Sequence, residues 1–200
     1  MQDIDAIARY WESELALAGS RETRVPTIAS PIERTWIWSD LHLSDRGPHA
    51  AFARPFSDVA AMNRHLIAKW RQRVRPGDTI ICLGDVAHPA AWRDRRLMLD
   101  LRTCPGERIL ILGNHDVDLR TLAEAGFETQ HRQALYKAEP TLALSHEPLA
   151  AVPVGALNVH GHLREGTEPT RRHVNVAVER WNYEPVPMAA VAARALERWK

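Results

Sequence analysis

Apolar residues at the start of the chain recur with the spacing of one helix face. Ile4, Ile7 and Trp11 follow one another at intervals of three and four residues, which is the periodicity of an amphipathic helix. This pattern predicts a helix over positions 3–18. Two prolines then predict an irregular connection that lasts to position 34.

Short apolar runs and helical stretches alternate in the next part of the chain. The runs cover 35–38, 79–83 and 108–112, and the helical stretches cover 58–74 and 90–101. Runs of four or five apolar residues bounded by turn residues are typical of buried strands. The segment therefore predicts a β-α-β-α-β order, in which each strand ends at a polar cluster.

The second half of the chain has a different pattern. Four short runs joined by short connections predict further strands at 134–136, 141–145, 156–159 and 173–178, and helical spacing returns over 188–199. This mixture predicts an α/β protein with two packed sheets flanked by helices.

We expect a single-domain organisation. Residues 1–34 would form a helix and connection packed on the domain, and residues 35–200 would form the domain itself. Two hundred residues are enough to bury one core.

Composition narrows the class of protein. The formal net charge of +1 gives the whole molecule no strong attraction to nucleic acid or to a membrane. Cys82 and Cys104 do not have the spacing of a zinc or redox motif, and no apolar stretch approaches the roughly 18 to 20 residues that span a bilayer. We therefore expect a soluble cytoplasmic protein, a monomer or homodimer, without a membrane partner.

Polar clusters follow five of the predicted strands. They are Asp40-Leu41-His42, Gly84-Asp85, Gly113-Asn114-His115-Asp116, Ser145-His146-Glu147 and His160-Gly161-His162. Ligands of open α/β sheets bind at the carboxyl ends of strands. Each cluster alone is weak evidence, since a Gly-Asp after a strand is usually a turn, but together the five predict one site.

The spacing within the clusters favours metal binding. Asp40 and His42 are two residues apart, as are His160 and His162, so on extended backbone each pair would point to one side. Asp85 would be the carboxylate shared by two ions.

Two more donors complete the predicted ligand set. Asn114 supplies an amide oxygen and His146 an imidazole nitrogen. Two Asp, one Asn and four His suit manganese, iron, cobalt, nickel or zinc better than calcium or magnesium alone. Two divalent ions held by two carboxylates leave a positive site that attracts phosphate.

The order of these motifs from Trp36 to His162 resembles that of the calcineurin-like metallophosphoesterase superfamily, and later residues resemble its small prokaryotic and phage phosphohydrolases. The resemblance implies a four-layer α/β/β/α sandwich of two mixed β-sheets flanked by helices. It also implies two metal positions, one held by Asp40, His42, Asp85 and His162 and the other by Asp85, Asn114, His146 and His160.

The resemblance further implies roles for three residues beside the metals. His115 matches the histidine that contacts the phosphate and protonates the leaving oxygen, and Asp116 would orient it. Asn114 would contact the substrate as well as a metal. Arg164 is a further candidate for contacting phosphate, with an ordinary surface arginine as the alternative.

These residues predict a dinuclear metal-dependent phosphoesterase with two divalent transition-metal ions, manganese first and iron, nickel, cobalt or zinc as alternatives. A hydroxide bridging the metals would attack phosphorus. The expected substrate is a small phosphorylated molecule, with a phosphodiester of a nucleotide or small molecule favoured. The alternatives are a phosphomonoesterase of the same fold and a non-catalytic metal-binding interaction scaffold.

Overall fold

The computed structural model of the chain describes residues 3–18, 24–46, 54–116, 118–163 and 168–199. The α-helices are α1 Ile4–Leu17, α2 Val59–Arg73, α3 Arg95–Arg102, α4 Leu119–Glu124 and α5 Met188–Trp199. Short 3-10 segments lie at Ile32–Arg34, Pro89–Arg93 and Val178–Arg180. The strands are β1 Thr27–Ile28, β2 Thr35–Trp38, β3 Thr79–Cys82, β4 Glu107–Ile111, β5 Thr129–His131, β6 Gln133–Tyr136, β7 Thr141–Ser145, β8 Ala156–His160, β9 His173–Asn175 and β10 Val186–Pro187.

The strands form two five-stranded mixed sheets. The first sheet has the order β10-β2-β3-β4-β5, and the second has the order β1-β6-β7-β8-β9. Strands β2 to β5 run parallel in the first sheet, and β7 to β9 run parallel in the second. Strand β10 is antiparallel to β2, and β6 is antiparallel to β7. In each sheet, the parallel strands bring their carboxyl ends to one edge.

The space between the sheets is filled by the inward side chains of both. Ile37, Ile81 and Ile111 of the first sheet belong to the same buried cluster as Leu144 and Val159 of the second. Because side chains alternate along a strand, the neighbours of these residues face outward. Each sheet therefore needs a second apolar layer on its outer face.

Helices supply both outer layers. Trp38, Ile80 and Leu110 of the first sheet pack in one cluster with Leu66 and Trp70 of α2. On the outer face of the second sheet, the cluster joins side chains of α1 to the strands and comprises Ile7, Trp11, Val25, Leu135, Ala143 and Ala156. This arrangement confirms the predicted four-layer α/β/β/α sandwich, with α1 on the outer face of the second sheet.

The predicted helix over 90–101 is divided in two. A 3-10 segment, Pro89–Arg93, ends before Asp94, and α3 begins at Arg95. The Asp94 carboxylate accepts hydrogen bonds from the backbone N–H of Arg96 at 2.9 Å and of Leu97 at 3.2 Å. Asp94 thus caps a new helix within the predicted one. The apolar periodicity that runs through positions 90–101 did not reveal this break.

Several short elements lack a sequence signal. Helix α4 has six residues, β5 is a partly exposed edge strand, and β1 and β10 have two residues each. Such elements are too short for a helical or alternating pattern to emerge. Their positions depend on pairing with strands that are already in place. None of the helices in the described part of the chain combines the length and apolarity that crossing a bilayer requires.

Trp70 joins α2 to the first sheet, and we expect its removal to destabilise the protein strongly. The side chain is fully buried, meets Trp38 edge-on at 5.4 Å between ring centroids, and donates its indole N–H to the Pro105 carbonyl at 2.9 Å. Trp70→Ala should lower the free energy of unfolding by about 3 to 5 kcal/mol in urea titrations. The matched control is Trp199→Ala on the exposed end of α5, where we expect a loss below about 1 kcal/mol. Equal losses for the two variants would contradict the packing described here.

Candidate metal centre

Six of the predicted metal ligands converge where the carboxyl ends of both sheets meet. They follow five strands: Asp40 and His42 come after β2, Asp85 after β3, Asn114 after β4, His146 after β7, and His162 after β8. Parallel strands deliver their following loops to the same edge. Five separate loops therefore bring polar side chains to one place.

The first group of potential ligands consists of Asp40, His42 and Asp85. The Nε2 atom of His42 lies 3.8 Å from Oδ1 of Asp40 and 3.5 Å from Oδ2 of Asp85. One ligand atom from each residue lies within 4.8 Å of the others, and all three residues are buried. We call this group the first position.

The second group shares Asp85 with the first. His146 Nε2 lies 3.4 Å from Oδ2 of Asp85, 3.2 Å from Nδ1 of His162 and 3.0 Å from Oδ1 of Asn114. We call the set of Asp85, Asn114, His146 and His162 the second position. Asp85 therefore stands between two clusters of donor atoms.

His146 is oriented by the main chain of the first sheet. Its Nδ1 lies 2.8 Å from the carbonyl oxygen of Leu83, an arrangement in which Nδ1–H donates and Nε2 faces the second position. Metal-binding histidines characteristically donate the other ring N–H to a carbonyl or carboxylate in this way. The geometry of His146 thus fits a metal ligand.

Four of the site residues have left-handed backbone. The φ angles are 61° at Asp40, 48° at His42, 54° at Asp85 and 64° at His162. The expectation of extended backbone at Asp40 and His42 is therefore wrong, because β2 has already ended at Trp38. Residues other than glycine rarely adopt such angles, and they cluster at functional sites.

Main-chain hydrogen bonds hold the two folded loops against each other. The Asp40 N–H donates to the Gly84 carbonyl at 3.1 Å, and the His42 N–H donates to the Asp85 carbonyl at 2.9 Å. The loop after β2 and the loop after β3 thereby continue the sheet pairing past the strand ends. Their side chains are turned toward the site by the positive φ angles.

Two glycines allow the loops to approach this closely. A Cβ atom at Gly161 would overlap the hydroxyl of Ser39 and the carboxylate of Asp40. A Cβ atom at Gly113 would overlap the carboxylate of Asp85. The glycines in the predicted motifs therefore serve the carboxylates directly, by leaving room for them.

His160 does not join the other predicted ligands. Along β8 it is in phase with Ala156, which faces the α1 side of the second sheet. Its ring lies 5.6 Å from the ring of His173, its Nδ1 is 2.8 Å from the Gly161 carbonyl, and its Nε2 is buried without a hydrogen-bond partner in the described residues.

His162 takes the place that the sequence assigned to His160. Strand β8 ends at His160, and the left-handed backbone at His162 breaks the two-residue alternation. The two imidazoles consequently point to different places. The resemblance had assigned His162 to the position of Asp40 and His42, whereas the structure places it with His146 at the second position.

Asp116 was expected to orient His115, but its carboxylate accepts hydrogen bonds from backbone N–H groups instead. Its Oδ2 accepts from the backbone N–H of Asp85 at 2.8 Å and of Gly113 at 2.9 Å, and Oδ1 accepts from the N–H of Val86 at 3.2 Å. Asp116 therefore fixes the loops after β3 and β4, and within the described structure it makes no hydrogen bond to the His115 ring. Burial raises the pKa of Asp116 even though these backbone donors oppose the shift.

His115 and Asn114 lie at the open side of the centre. Both residues are exposed, and the rings of His115 and His42 meet edge-on at 5.4 Å between centroids. The His115 backbone N–H donates to Oδ1 of Asp85 at 3.0 Å. His115 is thus anchored through its main chain, with its imidazole toward solvent. Arg164 lies outside the described residues.

Asp45 is a site residue that the sequence reasoning missed. Its Oδ2 lies 3.6 Å from Nδ1 of His42, while Nε2 of His42 faces Asp40 and Asp85. A carboxylate on the far nitrogen of a ligand histidine orients the ring. The available signal was a carboxylate three residues after His42, in the same loop.

The charges of the centre are strongly coupled. Burial opposes ionisation of Asp85, but the hydrogen bond and positive charge of His146 outweigh it and lower the pKa of Asp85 to about 2. Burial likewise disfavours a charged His146, and Asp85 reverses this and raises the pKa of His146 to about 9. For Asp40, hydrogen bonds from His42 and the His162 N–H overcome burial and lower the pKa. Without a metal, a protonated imidazole therefore supplies the counter-charge.

The donor set fits two divalent transition-metal ions. Imidazole nitrogens and carboxylate oxygens form two groups that share Asp85, and the Asn114 amide oxygen lies beside His146 in the second. Mixed nitrogen and oxygen donors of this kind suit manganese, iron, cobalt, nickel and zinc. A divalent cation at each position would more than neutralise the two buried carboxylates, Asp40 and Asp85.

The chain is similar to known proteins in sequence and in structure. The uncharacterized protein MJ1445 of Methanocaldococcus jannaschii is 28% identical over 179 residues, which cover 84% of this chain and 94% of that protein. A protein of unknown function from Aquifex aeolicus, AQ665, matches in structure with a TM-score of 0.66 and 21% identity, over 83% of this chain and 99% of that one. At this identity the match shows a shared fold. Nuclease MPE of Pseudomonas putida matches with a TM-score of 0.44 and 20% identity over 67% of this chain and 63% of its own.

The matching family model is that of the calcineurin-like phosphoesterases, and it covers residues 33–192. That range contains both sheets except β1 and includes every residue of the two positions. The resemblance drawn from the motifs is thereby confirmed, and the chain belongs to the calcineurin-like phosphoesterase family.

Proposed function

We propose that this chain hydrolyses a phosphodiester with two divalent metal ions. Members of its family are generally metal-dependent phosphoesterases that bind two such ions. The observation that supports the proposal most directly is Asp85, whose carboxylate belongs to two separate groups of ligand atoms. A carboxylate between two cations is the core of a dinuclear hydrolytic centre.

Asp40, His42 and Asp85 would hold the ion at the first position. Asp85, Asn114, His146 and His162 would hold the ion at the second, and His160 has no part in this assignment. Manganese is our first candidate, and iron, nickel, cobalt and zinc suit the same donors. When bound, the two ions supply an activated water and neutralise charge on the phosphoryl oxygens.

The remaining chemistry falls to His115. Its exposed imidazole stands beside the ring of His42, at the open side of the first position. A phosphate that enters from solvent would meet this imidazole before it reached the buried carboxylates. We propose that His115 contacts a phosphoryl oxygen and gives a proton to the leaving oxygen.

A cavity beside the second position favours a diester over a monoester. It has a volume of about 780 Å³ and is bounded by Asn114 and His146 on the side of the centre. Leu119, Leu149 and Arg132 form other parts of its wall. A diester has an organic group on each side of phosphorus, and this cavity offers one of them apolar contact and a cation. We propose that a nucleotide-like group with a second anion lies here.

Turnover should depend on added metal. Metal-stripped protein should regain hydrolysis of bis-p-nitrophenyl phosphate when manganese is added, and p-nitrophenyl phosphate should be the poorer substrate. Asp85→Asn should lower the metal-dependent rate at least about a hundredfold, since it weakens both positions together. The matched control is Asp100→Asn, a surface carboxylate of α3 paired with Arg71, which should leave the rate unchanged.

Either of two results would count against this prediction. If no metal, among manganese, nickel, cobalt, zinc and magnesium, were bound by the folded protein, the dinuclear centre would be ruled out. If the monoester were hydrolysed faster than the diester, the phosphomonoesterase would replace the diesterase as the better assignment.

Metal binding at the second position should release a proton from His146. The pKa of His146 is raised to about 9 in the metal-free protein, so the imidazole is charged at neutral pH. Binding an ion at the second position requires the loss of this proton from Nε2, and affinity should rise about tenfold per pH unit from pH 7 to 9 and level off above pH 9. Calorimetry at pH 7.5 in buffers of different ionisation enthalpy measures the protons released.

His146→Gln should release about one proton fewer than the wild-type protein. His65→Gln, on α2 beside Phe56, serves as the control and should release the same number as the wild type. An unchanged count in His146→Gln would show that the displaced proton belongs to another group.

Arg132 in the cavity should contact the second phosphate of a suitable substrate. We expect Arg132→Ala to lower kcat/KM about tenfold for the 5′-p-nitrophenyl ester of thymidine 3′,5′-bisphosphate, because that substrate carries a second phosphate for the guanidinium. The same variant should change kcat/KM little for the ester without the 3′-phosphate. Arg96→Ala, at an 87% exposed side chain on α3, is the control. Equal losses on both substrates would contradict a role for Arg132 in anion binding.

A further inference from the structure

We propose that Arg54 is the positioning residue for the first position, because its buried guanidinium holds the carbonyls of the two peptide groups that join Asp40 to His42. The inference rests on the proposed function, since it concerns the metal that Asp40 and His42 would bind. Arg54 follows this loop in the chain and bonds its main-chain carbonyls.

The guanidinium makes two hydrogen bonds to the loop after β2. Nη2 donates to the Asp40 carbonyl at 2.6 Å, and Nη1 donates to the Leu41 carbonyl at 2.8 Å. These carbonyls lie between the ligands Asp40 and His42. One side chain therefore fixes the peptide planes that determine where both ligand side chains point.

The loop needs such a partner because of its backbone angles. Asp40 and His42 are both left-handed, with φ of 61° and 48°, and residues other than glycine keep such angles only where their surroundings hold them. The Leu41 side chain is fully buried, so water cannot replace the donors that the loop carbonyls require. Arg54 supplies two of these donors from one rigid group.

Glu179 completes the arrangement from the other side. Its Oε1 accepts from Nε of Arg54 at 2.9 Å and from Nη2 at 2.6 Å, although the two residues are 125 positions apart. Val178, the neighbour of Glu179, donates its backbone N–H to the Ser39 carbonyl at 3.1 Å. The segment that carries Glu179 is thus bound to the same loop, and Glu179 neutralises Arg54 there.

The surroundings leave Arg54 little freedom. Its side chain is 1% exposed, it lies over the Tyr183 ring at 5.9 Å, and Nη1 is 3.4 Å from Sδ of Met62. A lysine could keep the charge but could not hold two carbonyls and a carboxylate in one plane. The geometry therefore uses the shape of the guanidinium as well as its charge.

The test is titration of the metal-stripped protein with cobalt(II), followed by its visible absorption spectrum and by calorimetry. The variants are Arg54→Lys and the double variant Arg54→Met with Glu179→Leu, which removes both buried charges together and so avoids an unpaired one. The control is Arg73→Met, which breaks an ion pair with Glu184 at the surface. Circular dichroism and a urea titration report whether each variant is folded.

We expect both Arg54 variants to fold and to bind one cobalt ion at least tenfold more weakly than the wild type. The visible bands of the ion at the first position should shift, while binding of the second ion stays within about twofold. Arg73→Met should match the wild type in spectrum and in both affinities. A role confined to stability would lower resistance to urea without altering the cobalt spectrum.

The outcomes separate this inference from the proposed function. A folded Arg54→Lys or double variant with wild-type affinities and spectrum would overturn the positioning role and leave the dinuclear centre intact. Wild-type protein that binds no cobalt would overturn the proposed function, and the positioning role with it.

Discussion

The burial of two carboxylates at the meeting edge of two sheets is the constraint on which this structure depends. Asp40 and Asp85 are 1% and 2% exposed, and an isolated buried carboxylate is too costly to remain ionised. Backbone N–H groups of His162 and His115 donate to them, and His146 supplies positive charge. With no metal bound, the positive charge of His146 offsets part of this negative charge, so the fold itself creates an electrostatic preference for cations at this place.

Much of this arrangement could be predicted because the strands of the first sheet have strong local signals. The apolar run Thr79–Cys82 is buried throughout, and the polar cluster that follows it reaches the site as expected. The prediction for His160 was wrong because the alternation of side chains along β8 ends at that residue. A strand's last residue cannot be located within one or two positions from sequence, and that uncertainty decides which of two neighbouring imidazoles faces a site.

Roles that depend on long-range contacts were beyond the sequence for another reason. The carboxylate of Asp116 accepts hydrogen bonds from backbone groups of Asp85 and Val86, about thirty positions earlier in the chain. Arg54 contacts Glu179, which lies 125 positions later. Neither residue carries a local pattern that distinguishes it from an ordinary turn aspartate or surface arginine. Such partners are brought together only by the tertiary fold, which the residues around each of them do not specify.

Ligands of the second position come from both sheets, and this has a mechanical consequence. Asp85 and Asn114 belong to loops of the first sheet, whereas His146 and His162 belong to loops of the second. The distances between these donors therefore depend on how the two sheets pack against the apolar layer between them. Residues of that layer, such as Ile81 and Leu144, therefore help to set the spacing of the donors. The geometry of the centre thus depends on the packing of buried apolar residues as well as on the ligands themselves.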